Sequence, residues 1–498
     1  MAFSDNDHLK EVIIPDSVTT CANNVFDRCS GLEKVTLSSS MTKIPKSMFS
    51  SCSSLKEIEI PEGVTEIGDF AFSSCTSLEK AVIADTVTKI GKSAFENCKK
   101  LKDLTLSENK IDIGVAAFNS CESLADQNGL VIIQNTLYQY TGSSKEVVIP
   151  DDVTNISASA FYRSNIEKVT IPASVTEIGE YAFSYSKISE AVFSEGLERI
   201  GASAFSDSCL KKLDLPKSVK WIGNSAFSYC GDLSEVNIPQ DIERGDSLFR
   251  GCESLAKNGF VIVDSVLYDY YGEASVLEIP EGVKDISTMA MYRNKTVKEI
   301  TFPDSLTNIS DYAFFEAALQ KAVIPGNVKE IGNEAFRGSA IQEIELEEGV
   351  ESIGDLAFEY CRSLQKVTLS EGLKTIGDYA FVNCYSLNEM AVPASVTEIG
   401  NRAIGCSGIV INASPVNGFV IIGKSGSAAE RYANSWGIAF SNNGSGGGDI
   451  PVIEPGELQI NFYYSDFGFN LSGTIKEGET IDLPHAWISE DGIRDVHL

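Results

Sequence analysis

The residues of this 498-residue chain best suited to covalent or metal chemistry are its twelve cysteines, as disulfides, metal ligands or nucleophiles. Nine of them (Cys29, Cys52, Cys75, Cys98, Cys121, Cys230, Cys252, Cys361 and Cys384) stand three residues after a recurrent aromatic landmark. A metal knuckle needs its ligands a few residues apart, and this spacing is that of a much larger unit. The position therefore reads as a small buried hydrophobe that exchanges with nothing polar, with disulfide or redox service as the alternative. Cys209 and Cys406 fall nearly there in shortened units, and Cys21 falls where other units carry Ile. Histidine occurs only at His8, His485 and His497, so no repeated Ser or Asp has an imidazole beside it for nucleophilic catalysis. No phosphate loop, dinucleotide fingerprint or zinc spacing is present. The expectation is a chain without enzymatic activity, cofactor or metal.

Non-covalent recognition has two candidate sets. Tyr138, Tyr140, Tyr268, Tyr270 and Tyr271 lie in two matching segments, where they either form an aromatic contact patch or pack those segments against the body of the protein. A second set comes from strand positions that face outward. One column runs Lys34, Glu57, Lys80, Asp103 and so on to Lys321, Glu343 and Lys366, with nearly alternating sign. Its neighbour is mostly Thr, Val and acid, including Thr301, Val323 and Glu345. Alternating charge on adjacent strands supports pairing, so a stabilising ladder accounts for the column. If a ligand binds the strand face, Glu343 and Glu345 are its expected contacts.

A repeat must position these residues. The landmark falls at Phe3, Phe26, Phe49, Phe72, Phe95 and Phe118, then at Phe161, Phe183, Phe205, Phe227 and Phe249, and finally from Met291 through Phe314, Phe336, Phe358 and Phe381 to Ile404. Within each block the step is 22 or 23 residues. The unit Leu55–Cys75 shows how a coil is made. Alternation of apolar and polar residues from Leu55 to Ile60 has the period of a half-buried strand. Pro61 ends it, and Glu62-Gly63 turns the chain. Val64 and Ile67 return inward, Gly68 supplies a backbone conformation that other residues resist, and Ala71-Phe72 plug the core. One coil cannot bury its own apolar side, but stacked coils share a core. Coils spaced at about 4.8 Å make a curved rod. The expected fold is a leucine-rich-repeat solenoid, a parallel sheet of stacked 22–23-residue coils spanning residues 1–412.

Two segments interrupt the array at the same phase. Asn128-Gly129-Leu130-Val131-Ile132-Ile133 through Tyr140 matches Asn258-Gly259-Phe260-Val261-Ile262-Val263 through Tyr270, and both read as β-hairpins, near 128–142 and 258–272. A third echo, Asn417–Ile422, leads into Ser427–Gly437, where Ser427 and Glu430 form a capping box and Gly437 suits a helix end. Residues 413–440 are thus expected to cap the core with a short helix. Residues 441–456 are a Gly/Ser linker, and 457–498 a partial β module with a strand over 459–464 and a turn at Glu477-Gly478-Glu479. Ala2-Phe3 is already the middle of a coil, which suggests that the natural chain begins upstream and that the missing signal peptide says little about location.

The pattern Ile-Pro-x-x-Val-Thr-x-Ile-Gly-x-x-Ala-Phe-x-x-Cys closely resembles the BspA-like, or Treponema pallidum-type, leucine-rich repeat. The segment Gly426–Ala433 with Gly437-Ile438-Ala439-Phe440 looks like the closing element of such proteins, and Gly473–Pro484 is similar to the start of a Listeria–Bacteroides repeat. The resemblance implies a secreted or wall-attached protein that adheres to host proteins or other bacteria, with no catalytic motif to carry over. Net charge of −30 and a pI near 4.5 argue against nucleic acid and anionic lipid as partners. No run reaches the roughly 18 apolar residues of a membrane helix. The expected protein is a monomeric scaffold for a protein or glycan ligand, and an architectural spacer within a longer surface protein is the alternative.

Overall fold

A computed structural model describes residues 3–408 and 413–442, and the backbone of residues 457–464 and 469–476. Each coil makes two strands. In the unit read above, Glu57–Ile60 alternates exposed and buried residues, and Glu66–Ile67 follows after the turn at Pro61. Both pair in parallel with the next coil, Glu57 opposite Lys80 and Glu66 opposite Lys89. The array therefore has two parallel sheets where the sequence suggested one. A two-residue strand is too short to display a period of two.

The third wall of the coil carries the landmark rings. Phe3, Phe26, Phe49, Phe72, Phe95 and Phe118 stack with centroids 5.1–5.5 Å apart and planes within 14° of parallel. Such pairs contribute about 0.5–1.5 kcal/mol each beyond the area they bury. The backbone here is also bonded from coil to coil, since Ser47, Phe49 and Ser51 donate to Asp69, Ala71 and Ser73. To aim these amides along the stack, the residues two before and two after the ring take left-handed conformations. Ser47 and Ser51 have φ of +52° and +59°, and Tyr181 and Tyr185 have +55° and +56°.

Gly68 is required for a different reason from the one its sequence context suggests. Its φ is not positive. A Cβ there would stand 2.7 Å from the Lys46 amide nitrogen and 2.9 Å from the Ile44 carbonyl oxygen, so the glycine admits the backbone of the preceding coil. Close approach, not conformational freedom, selects it.

All twelve cysteines are free thiols. The nine at the landmark-plus-three position lie 2.9–3.2 Å from the carbonyl oxygen of the Phe one coil earlier, as Cys75 does from Phe49. The expectation that nothing polar takes this place is wrong. Ser164, Ser186, Ser208 and Ser339 occupy it in 22-residue coils, all four of them donor side chains like the thiol. Ser186 Oγ donates to its own Phe183 carbonyl at 2.6 Å. Cys209 is exposed, Cys21 half-buried and Cys406 buried.

The hairpins act as wedges inside the stack. Leu130–Ile133 pairs antiparallel with Thr136–Tyr140, and Phe260–Val263 with Val266–Tyr270. Their two-residue turns, Gln134-Asn135 and Asp264-Ser265, all have positive φ, as a primed hairpin turn demands. Alternate residues of each hairpin serve different cores. Val131 and Tyr138 join the core that begins at Ile14, while Leu137 and Tyr140 join the one that ends at Tyr268. At the second hairpin, Val261 and Tyr268 close that middle core, and Leu267 and Tyr270 open the third. The first sheet is interrupted at both hairpins, between Asp103–Thr105 and Glu146–Val148 and between Glu235–Asn237 and Val276–Glu278, and within the middle block also between Glu190–Phe193 and Lys212–Asp214.

At the C-terminal end the third echo does not form a hairpin. Val420–Ile422 adds in parallel to Glu389–Ala391 and receives Ala439–Ser441 on its other edge. The helix Ala428–Trp436 connects them. Ser427 Oγ accepts from Glu430 N, Glu430 accepts from Gly426 N, and Gly437 ends the helix at φ +67°. Tyr432 reaches from the helix to Ile404, its hydroxyl donating to the carbonyl at 3.0 Å and accepting from the amide at 2.9 Å. Strands Glu457–Tyr464 and Phe469–Lys476 pair antiparallel. The expected linker from 443 onward, the turn at Glu477-Gly478-Glu479, His485 and His497 lie outside the described residues.

Candidate recognition surfaces

Four of the five hairpin tyrosines face inward. Tyr138 and Tyr268 are each 3% exposed, and their rings stand edge-on against Phe118 and Phe249 at 5.6 and 5.3 Å. Tyr140 stacks on Phe161 and donates its hydroxyl to the Ser144 carbonyl at 2.9 Å. Tyr270 leans on Phe260 at 4.9 Å. Burial pushes the Tyr268 phenol up to about 12 and raises Tyr138. Each ring takes the place a landmark Phe would hold, which is why the hairpins need them. Tyr271 alone is exposed, with its hydroxyl donating to Asp269 Oδ2 at 2.9 Å. The aromatic patch expected at the hairpins is thus reduced to this one ring.

The strand face is a charge lattice. Glu343 is in register between Lys321 and Lys366, and Glu345 between Val323 and Thr368. Lys321 Nζ lies 3.6 Å from Glu343. Further pairs run Lys34–Glu11, Lys168–Glu190 and Lys212–Glu235 along the same column. The second sheet repeats the device with Lys43–Glu66 and Lys220–Glu198. Exposed pairs of this kind are weakly stabilising one by one. The pairing accounts for Glu343, whereas Glu345, beside Val323 and Thr368, has no ion-pair partner among the described residues.

A third surface escaped the sequence reading. Of the residues one and two places after the landmark ring, several from the second block onward are Tyr or Arg, among them Tyr162-Arg163, Tyr185, Tyr229, Arg250, Tyr292-Arg293, Arg337 and Tyr360, while others such as Ser184, Glu359 and Val382 are buried. Tyr162 and Tyr185 meet edge to face at 5.8 Å, with the Arg163 guanidinium 5.2 and 5.7 Å from their centroids. Arg250 stands 5.6 Å from the Tyr229 ring and 5.2 Å from that of Tyr292, and so spans the second hairpin. Tyr292 stacks on Phe315 at 5.3 Å, and Arg293, Arg337 and Arg362 stand over Tyr292, Phe315 and Tyr360. Tyr162, Tyr185 and Tyr229 are 41, 51 and 48% exposed. In the first block the same two places hold Ser4-Asp5, Asp27-Arg28, Ser50-Ser51, Ser73-Ser74, Glu96-Asn97 and Asn119-Ser120, where the one arginine is paired with Asp5 and no tyrosine occurs. The ridge thus belongs to the second and third blocks. The signal was available in the column at landmark plus one and plus two, which contains Arg but no Lys.

Where two successive coils lack one residue, at Ala317-Ala318 and Ser339-Ala340, the ridge is indented by a cavity of about 670 Å³. Phe315, Tyr360, Arg337 and Arg362 wall it. Behind it Arg337 binds two carboxylates, Glu334 at 2.6 Å and the fully buried Glu359. Burial raises the Glu359 pKa against the lowering effect of the Arg337 charge. Arg163, Arg250 and Arg362 have no carboxylate within ion-pair distance among the described residues. Each therefore presents an uncompensated cation flanked by aromatic faces.

Among the described residues no three His, Cys, Asp or Glu side chains group as metal ligands, and no helix is long and apolar enough to cross a membrane. No protein in a search of the curated proteins matches the chain. Among solved structures, the chain is similar to a leucine-rich repeat protein from Eubacterium ventriosum, at 24% identity over 55% of this chain and 88% of that one, with a TM-score of 0.39. A leucine rich cell surface protein from Faecalibacterium prausnitzii is 26% identical over 70% of this chain and 79% of its own, with a TM-score of 0.30. The T. pallidum leucine rich repeat protein is 25% identical over 40% and 78%, with a TM-score of 0.21. The repeat itself is decisive: residues 1–126, 131–256, 262–340 and 307–414 match the BspA type leucine rich repeat region, and the chain belongs to that family.

Proposed function

We propose that this chain is a non-catalytic cell-surface scaffold that adheres to a protein partner through the Tyr/Arg ridge. The observation that carries the reading is the run of exposed arginine–tyrosine stacks from Tyr162 to Arg362 in a chain whose net charge is −30. Tyr and Arg are the side chains that dominate binding energy at protein interfaces, because they offer large rigid area and several donors. Neutralised lattices such as the strand face do not concentrate energy in this way. The cell-surface location follows from the resemblance of the repeat to secreted and wall-attached relatives.

The test is a binding screen of the full chain against immobilised matrix proteins and glycans, beside a variant carrying Arg163→Ala, Arg250→Ala and Arg362→Ala. Hot-spot truncations cost about 1–2 kcal/mol each, so the triple variant should lose roughly a hundredfold or more in affinity for the protein that the parent binds. Binding that survives the triple variant but is lost in Glu343→Lys with Glu345→Lys would move the site to the strand face. Absence of any saturable ligand would favour a spacer, the reading that the regular charge lattice supports.

A further inference from the structure

The second hairpin leaves a strand-sized vacancy in the first sheet. The strand Glu235–Asn237 pairs with Lys212–Asp214 on one side only, and Val276–Glu278 pairs only with Glu299–Thr301. Between these two edges the chain departs into the turn at Asn258-Gly259 and the hairpin, so one coil contributes no strand to this sheet. The space is a cavity of about 770 Å³, walled by Glu235, Val236 and Asn237 and floored by Leu255, Phe260 and Ile262.

Both edges offer unused backbone groups. Leu215 N donates to Asn237 O, so Asn237 faces back into its own sheet. Successive residues of a strand alternate in direction, so the amide and carbonyl of Val236 point into the vacancy. Ile279 N donates to Thr301 O, which turns the polar groups of Val276 and Glu278 away from Glu299–Thr301, but the cavity reaches this far side only at Pro280. The near wall agrees with this: Val169 and Leu213, at the middle of other strands, are fully buried, whereas Val236 is half-buried; the matching residue of the far strand, Leu277, is buried.

The first hairpin differs. There Gln134 clamps the turn of the preceding coil, donating to Ser107 O and Asn109 O and accepting from Ile111 N. Its counterpart Asp264 is drawn instead to Arg244 at 2.7 Å. That pair ties the hairpin to the second sheet, and among the described residues Asp264 makes no bond to the turn at 237–241.

We propose that this vacancy is a β-strand acceptor site, and that it takes an extended peptide carrying a cation followed by a β-branched apolar residue. Such a guest extends the ladder at the open edge of Glu235–Asn237, its main chain bonding to Val236. Its apolar side chain enters over Leu255, Phe260 and Ile262. Its cation approaches Glu235, which Lys212 flanks on the other side, in the column where lysine and glutamate alternate. The net negative charge of the chain attracts a basic segment at a distance.

The probe is a labelled synthetic peptide with the sequence of residues 166–172, Ile-Glu-Lys-Val-Thr-Ile-Pro, which has the form of a strand from this sheet. It is titrated against the full chain by fluorescence polarisation. Saturable binding is expected, weakened at least tenfold by N-methylating two alternate peptide amides. Val236→Pro removes one wall donor and spares the pairing with Lys212–Asp214, and it should weaken binding to a similar degree. In the unaltered protein, hydrogen exchange should show the Val236 amide protected only when peptide is present, a readout that needs no variant. The ridge triple variant should bind the peptide normally, so this site and the ridge stand or fall separately. Equal affinity for the N-methylated peptide, protection elsewhere, or no binding at millimolar peptide would overturn the proposal. So would self-association of the chain that the peptide reverses, since the natural occupant would then be a second copy.

Discussion

Gly223 provides a test in which two explanations of the repeated glycine predict opposite signs. Its φ is not positive, so if conformation were the issue, alanine would restrict the unfolded chain and stabilise the fold by about 0.4–1 kcal/mol. The structure argues the reverse. A Cβ at this position would stand 2.5 Å from the Ala202 amide nitrogen and 2.9 Å from Ala202 Cα and the Gly201 carbonyl carbon, none of which belongs to a flexible side chain. To reach an ordinary 3.4 Å contact the coils must separate locally by about 0.9 Å, from the same distances. The bond from Gly223 N to Ile200 O, now 2.8 Å, would then open beyond hydrogen-bonding reach. Overpacking costs about 1–3 kcal/mol and the lost bond about 1 kcal/mol, so Gly223→Ala should destabilise by roughly 2–4 kcal/mol. The internal control is Gly231→Ala, where nothing lies within 4 Å and the φ is not positive, and which should stabilise by about 0.4–1 kcal/mol. Urea unfolding of both variants, with hydrogen exchange of the Ile222 and Ile200 coils, measures the effect where it should arise. If Gly223→Ala is as stable as the parent, or more so, the close-approach argument is refuted.

The thiols should divide by exposure in a labelling experiment on the native protein. Cys209 reacts promptly, whereas Cys75 and Cys361, whose pKa burial pushes up to about 12, stay silent until the chain is unfolded; early reaction of either would show that the coil opens there. Removing the cation beside Glu359 with Arg337→Met strands a buried carboxylate and should cost about 3 kcal/mol in thermal or urea unfolding, at the lower end for such pairs because Arg337 is itself a third exposed. The pH dependence has a definite sign. Glu359 has a folded pKa above its ordinary 4.5, so its penalty is absent below that pH and grows as pH rises through the folded value. Glu359→Gln should therefore be more stable than the parent at neutral pH, and the difference should close on acidification to about pH 4; a gap that widens with acid contradicts the assignment.

The solenoid was legible because each coil repeats the same apolar places, and a pattern that recurs from Phe3 to Ile404 leaves little choice of architecture. The second sheet was hidden by the shortness of Glu66–Ile67 and its equivalents. The role of Gly68 was misread because sequence shows a glycine but not the backbone that passes behind it. Cysteine at landmark plus three looked purely apolar since the contact of its thiol with the Phe carbonyl one coil earlier appears only when the coils are stacked. The tyrosines of the hairpins were conspicuous and proved largely internal. Those of the ridge were scattered at intervals of a coil, and only stacking brings Arg250 between Tyr229 and Tyr292.

The wedges at Tyr138 and Tyr268 also bear on how the chain would respond to load. A solenoid with unbroken ladders peels from one end under tension, coil after coil. Here the ladders of the first sheet end at each hairpin, and force crosses those seams largely through interleaved side chains. A chain stretched between a wall and a partner should therefore yield in stages, one block at a time. The middle block, about 115 residues between the hairpins, would release on the order of 40 nm of contour at about 3.5 Å per residue. A tether built this way gives up length before it gives up its grip, provided the gripping surface lies in a block that has not yet opened.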